Sequence, residues 1–162
     1  DVIFLGCNSI GHILTNKDFS MLLKCVKRHL KNDGIFIIDV FTPSISILYK
    51  ADGSYKNMMD FNDENNSKIL VEDCSVYNPG SQILKSTWRY YNVDQELLKE
   101  EEFIIKMYFP AELDSLLEMN GFEIVNKYGS YLEEDYTINQ SKQLTVTKLN
   151  IINKQEPPRE KI

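Results

Sequence analysis

The chain opens on an apolar run, Val2–Leu5, that gives way at once to Gly6, Cys7, Asn8, Ser9, Gly11 and His12. A short continuous run of this kind reads as a strand buried on both faces, and the polar stretch after it as a loop at the strand's carboxyl end. In open parallel sheets, ligands bind beyond those ends, where loops converge and backbone groups are free. Asn8, Ser9 and His12 are therefore the first candidate site residues. Thr15-Asn16-Lys17-Asp18 next forms a capping-box pattern, and Phe19, Leu22, Leu23, Val26 and Leu30 follow at helical spacing. Lys27, Arg28, His29 and Lys31 crowd the end of that helix, where they complement its negative pole, and Gly34 follows as its expected stop. Ile35–Val40 is a second apolar strand and completes a strand–helix–strand crossover. Asp39 ends it, and Phe41-Thr42-Pro43-Ser44 is expected to open on the same rim as Asn8 and His12.

From Ser44 to about Ser67 apolar and polar residues mix without a period, which predicts a short helix and a mobile connection. Three β-rich runs follow, Lys68–Tyr77, Gln82–Tyr91 and Glu96–Tyr108, separated by Asn78-Pro79-Gly80-Ser81 and Asn92-Val93-Asp94-Gln95. Turn signals between such runs predict a three-stranded antiparallel meander. Pro110 starts a helix carrying Leu113, Leu116 and Leu117 on one face, and Asn120-Gly121 stops it. Phe122–Lys127 and Gln143–Leu149 read as two last strands, with Tyr128-Gly129-Ser130-Tyr131-Leu132 as a loop that reaches the rim. Residues 151–162, charged and carrying Pro157-Pro158, read as a flexible tail.

The first strand and the Asn8-Ser9-Ile10-Gly11-His12-Ile13 stretch after it resemble the fourth strand and loop of class I S-adenosylmethionine-dependent methyltransferases. The likeness is to small-molecule N-methyltransferases similar to glycine N-methyltransferase and the amino-sugar enzymes, which often carry N-S-x-x-H-L there. It extends through Lys31-Asn32-Asp33-Gly34 to Asp39, similar to the family's L-K-P-G-G-x-x-x-x-D passage, and resumes at Phe109-Pro110-Ala111-Glu112-Leu113 and Gly121-Phe122. No G-x-G occurs in the chain, although the family holds its methyl donor on a glycine-rich turn and an acidic strand end. The expectation is the carboxyl-terminal part of a longer methyltransferase.

What the resemblance implies is an α/β fold: the second half of a Rossmann-like methyltransferase sheet with an inserted three-stranded antiparallel lid. Residues 1–44 and 109–150 would form the partial core and residues 45–108 the lid, which in relatives covers the acceptor and often forms a dimer surface. The implied activity is methyl transfer from S-adenosylmethionine to a small molecule, at nitrogen, by in-line displacement and without a metal. The competing expectation is a non-catalytic fragment that dimerises through the meander or through the edge at Val2–Leu5, where unpaired backbone invites another chain.

Composition narrows the classes. A net charge of −6 and a pI near 5.0 leave no basic footprint for nucleic acid. Eight Phe and nine Tyr, with 43% hydrophobic residues, argue for a packed core over disorder. Cys7, Cys25 and Cys74 are odd in number and lack a C-x-x-C pair, so neither a disulfide framework nor zinc is indicated and a reducing cytoplasm fits best. No apolar run approaches the roughly 20 residues that span a bilayer, so no membrane partner is expected.

Each candidate has a functional and a structural reading. His12 accepts or relays the proton that an amine loses, or orients the acceptor; otherwise it caps or packs. Asn8 and Ser9 bond the methionine part of the donor or the acceptor, or they cap the loop after the strand. Arg89, beside Trp88, Tyr90 and Tyr91, either clamps an acceptor carboxylate or forms a cross-strand pair. Tyr49, Tyr108, Tyr128 and Tyr131 line a cation-binding pocket, or they pack lid and core. Asp39 is a weaker candidate, since a strand-end carboxylate also bonds local backbone amides. Glu100-Glu101-Glu102 reads as a solvated face.

Overall fold

A computed structural model of the chain describes residues 1–137 and 139–150; the expected tail, residues 151–162, lies outside the described residues. The chain divides into two compact units, residues 1–42 with the segment from 108 onward, and residues 43–107.

The first unit is a mixed four-stranded sheet with two helices. Its strands are β1 (Val2–Leu5), β2 (Ile35–Phe41), β7 (Phe122–Tyr128) and β8 (Lys142–Leu149), in the order β1-β2-β8-β7. β1 and β2 are parallel, joined through the 3-10 turn Ser9–His12 and helix α1 (Asn16–His29), whereas β8 lies antiparallel to both β2 and β7. Thr15 starts α1 as the pattern predicts, its hydroxyl accepting the Asp18 N–H at 3.1 Å. Alternate positions of β2, Phe36, Ile38 and Val40, cluster with Phe19, Leu23 and Val26 of α1 and with Leu113 and Leu117 of helix α3 (Pro110–Met119). Both helices therefore cover one face of this sheet. The reading of β1 as buried on both faces is corrected accordingly: Ile3 and Leu5 pack on the core, while Val2 and Phe4 point the other way and are 60% and 56% exposed. A short apolar run alone cannot separate burial on one face from burial on two.

The second unit holds helix α2 (Ile45–Lys50) and four antiparallel strands in sequential order, β3 (Asp52–Asn62), β4 (Lys68–Asn78), β5 (Ile83–Tyr91) and β6 (Leu97–Lys106). The meander thus has four strands where the sequence predicts three. β3 replaces most of the expected mobile connection, and register shifts at Asp52/Tyr55 and Asn57/Met59 explain why it shows no two-residue period. Side chains close the turns: Asp63 accepts the N–H groups of Asn65 and Ser67, and Asn78 those of Gly80 and Ser81.

Candidate functional site

The first unit concentrates its polar geometry at the carboxyl ends of β1 and β2. After Gly6 the chain takes two consecutive left-handed residues, Cys7 (φ 55°) and Asn8 (φ 59°), a conformation that non-glycine residues hold only when their surroundings fix it. The surroundings are β2. The Asn8 N–H donates to the Asp39 carbonyl at 3.2 Å, the Cys7 N–H to the Asp39 carboxylate at 3.3 Å, and the Phe41 N–H to Asn8 Oδ1 at 2.8 Å. Ser9 closes the loop, its hydroxyl donating to the Gly6 carbonyl at 2.6 Å. Asn8→Ala is expected to cost this unit about 1–2 kcal/mol, combining a lost hydrogen bond with left-handed strain. Asn8→Gly should recover the strain part in urea denaturation followed by circular dichroism.

Asp39 is the centre of this region. Its side chain is 1% exposed, and it accepts Lys142 Nζ at 2.5 Å on one oxygen and the Tyr131 hydroxyl at 2.5 Å on the other. Lys142 also donates to the Tyr131 oxygen at 2.9 Å and lies 4.3 Å from that ring's centre. The proton directions are forced: a lysine only donates and a carboxylate only accepts, so the tyrosine hydroxyl takes a proton bond from one and gives one to the other. Burial by itself raises the Asp39 carboxyl, but the bonds from Lys142 and Tyr131 and the lysine's charge outweigh it, holding the group below the ordinary carboxylate range. Lys142 is correspondingly raised: burial lowers it, and the bond to Asp39 more than reverses this.

The structure gathers Asn8, Ser9 and His12 into one loop and brings Tyr131 to it, since Tyr131 and the Cys7 N–H share one Asp39 oxygen. His12 ends the 3-10 turn and is exposed. Tyr128 and Tyr108 make other contacts. Tyr128 is on β7, its hydroxyl accepting Asn126 Nδ2 at 2.6 Å. Tyr108 is 1% exposed and donates its hydroxyl to the Ile13 carbonyl at 2.6 Å, the core-packing alternative of the sequence reading; burial pushes its phenol well above the ordinary value. Arg89 belongs to the second unit, where it pairs with Glu100 across the strands at 2.6 Å and lies 4.1 Å from the Tyr55 ring centre. Lys142 escaped the sequence reading because its role depends on the pairing of Phe41 with Lys142, set by β2–β8 register over about a hundred residues. Among the described residues no group of His, Cys, Asp and Glu is placed to hold a metal ion, and no helix is long and apolar enough to cross a membrane.

No family model matches the sequence, and no curated protein is matched by it. Solved structures do match. The CcbJ methyltransferase of Streptomyces caelestis superposes with a TM-score of 0.72 at 15% identity, over 91% of this chain and 56% of its own. An S-adenosylmethionine-dependent methyltransferase from Clostridium acetobutylicum follows with a TM-score of 0.68 at 21% identity, over 92% and 58%. An amino pentose methyltransferase from Micromonospora echinaspora, solved with S-adenosylmethionine bound, gives 0.62 at 12%, over 91% and 57%. The chain spans a little over half the length of these structures. At these identities the likeness is one of fold, and over that part of its length the chain has the fold of class I S-adenosylmethionine-dependent methyltransferases.

Proposed function

We propose that this chain takes part in methyl transfer from S-adenosylmethionine to the nitrogen of a small-molecule acceptor. The observation that carries the reading is the Cys7–His12 loop, held in a left-handed turn at the carboxyl ends of a parallel strand pair. Its polar groups fit the methionine part of the donor. Asn8 spends its Oδ1 on Phe41 and keeps the amide N–H groups as donors; Ser9 spends its proton on Gly6 and keeps an oxygen as acceptor. A donor and an acceptor on adjacent residues complement a carboxylate and an ammonium.

When bound, S-adenosylmethionine supplies an electrophilic methyl group. His12, exposed at the end of the turn, takes the proton that an amine acceptor releases or orients that amine by hydrogen bonding. Alignment of acceptor and donor is most of what in-line displacement asks of a protein, so Tyr131 and the network behind it act by keeping the loop in place. A sugar N-methyltransferase from Streptoalloteichus, which superposes with a TM-score of 0.57 at 13% identity, supports nitrogen as the acceptor atom. The three free thiols agree with a reducing cytoplasm.

Calorimetric titration with S-adenosylmethionine and S-adenosylhomocysteine tests the reading. Micromolar binding of either is expected, with His12→Ala leaving it intact while abolishing transfer to amines. No binding by a chain whose circular dichroism confirms the fold would overturn donor binding by these residues and favour the second reading, a non-catalytic fragment or interaction module.

A further inference from the structure

The second unit contains a cavity of its own, about 450 Å³, within the range of small-molecule sites. Its apolar wall includes Leu84, Trp88, Phe103 and Ile105, and the Trp88 and Phe103 rings pack edge to face with centres 5.0 Å apart. Opposite these groups in character runs a polar rail of Asp73, Ser75 and Ser86. The Ser75 hydroxyl lies 2.8 and 3.0 Å from the two Asp73 oxygens and 2.6 Å from the Ser86 hydroxyl, and both serines are buried.

Proton bookkeeping gives this rail a direction. A carboxylate can only accept, so Ser75 donates to Asp73, and Ser86 must then donate to Ser75. What remains for a ligand is the carboxylate charge and the free lone pairs of Asp73 and Ser86, with no proton left to offer. Such a rail asks for a donor-rich cation. Lys56 stands opposite Asp73 in register, yet its ammonium is drawn away to Asp52 at 2.9 Å and to the Lys50 carbonyl at 2.7 Å. Lys50, also on the lining, is an exposed residue at the end of α2 and, among the described residues, makes no ion pair with Asp73. Among the described residues no ion pair joins Asp73 to a cation of the chain. An indole on the wall adds an electron-rich face, which attracts ammonium groups.

We infer that this cavity binds a compact organic ammonium, its N–H groups on Asp73 and Ser86 and its apolar body against Trp88. The inference extends the proposed methyl transfer by giving the small molecule a charge, and it rests on that reading only where it identifies the ligand with the acceptor.

Trp88 is the chain's single tryptophan, so intrinsic fluorescence reports directly on the cavity. Three probes of one shape separate charge from hydrophobicity: cyclohexylamine, cyclohexanol and cyclohexanecarboxylate. Cyclohexylamine is expected to give a saturable change, cyclohexanol to bind roughly tenfold or more weakly, and the carboxylate to give no response. Asp73→Asn should erase the preference for amine over alcohol. Equal binding of amine and alcohol, tighter binding of the carboxylate, or no binding of the amine in both fluorescence and ligand-observed NMR would each overturn the site. The wild-type series stands without the variant should Asp73→Asn fail to fold. A chain that ranks the probes as stated but binds no S-adenosylmethionine removes the methyl-transfer reading and leaves this site, and the reverse result removes this site alone.

Discussion

Asp39→Ala is expected to destabilise the first unit by about 2–3 kcal/mol and to release the loop that carries Tyr131. Removing one member of a buried ion pair strands the other, at a cost of roughly 3–5 kcal/mol where both are fully buried. Here Lys142 retains 29% exposure and can turn partly to water, which lowers the figure. The Cys7 N–H and the Tyr131 hydroxyl lose their acceptor in the same step. Urea denaturation should be read by circular dichroism, because the only tryptophan, Trp88, belongs to the other unit. A loss below about 0.5 kcal/mol, the range of ordinary surface substitutions, would mean the network is not held as described.

The same network fixes an acid limb of the stability profile. The Asp39 carboxyl is lower in the folded chain than in the unfolded one. Its contribution is therefore complete above the unfolded carboxyl range, near pH 4, and disappears as pH falls through the folded value. Asp39→Asn should flatten that limb. Lys142, raised on folding, works with the opposite sign: its contribution is complete below the unfolded lysine value and is lost as pH rises through the folded one.

How much of this was legible in the sequence depends on the range of each interaction. The Thr15 cap, the apolar face of α1 and the Pro110 start of α3 are local, and each declares itself within one or two helical turns. Asn8 and Ser9 stand out in the same way, as polar residues directly after a strand. Their bonds to Phe41 and Gly6 are set by the fold, and sequence alone left capping and ligand binding side by side. β3 was hidden by its bulges, which interrupt the alternation that marks a strand. Lys142 was hidden by distance along the chain. A lysine at the start of a strand reads as a solvated residue until register places it against a buried carboxylate. Asp39 carried a signal, a carboxylate ending an apolar strand, but its weight came only from those partners.

Phe19→Ala is expected to cost the first unit about 3–5 kcal/mol, the range for deleting a fully buried aromatic side chain. Phe19 is 0% exposed and its ring lies 5.6 Å from that of Tyr108, whose hydroxyl holds the Ile13 carbonyl where the chain leaves the His12 turn. Core packing and the candidate loop are thus joined through one tyrosine. Tyr108→Phe keeps the ring and removes the hydroxyl, leaving a carbonyl without that donor, so a loss of about 1–2 kcal/mol is expected. The two changes should be non-additive in a double-mutant cycle, because Tyr108 settles into the space that Phe19 vacates and its hydroxyl then misses Ile13. The cycle also separates the two readings of Tyr108. If the residue acts through packing, Tyr108→Phe lowers stability; unchanged stability would return Tyr108 to the candidate binding residues and detach the His12 loop from the core.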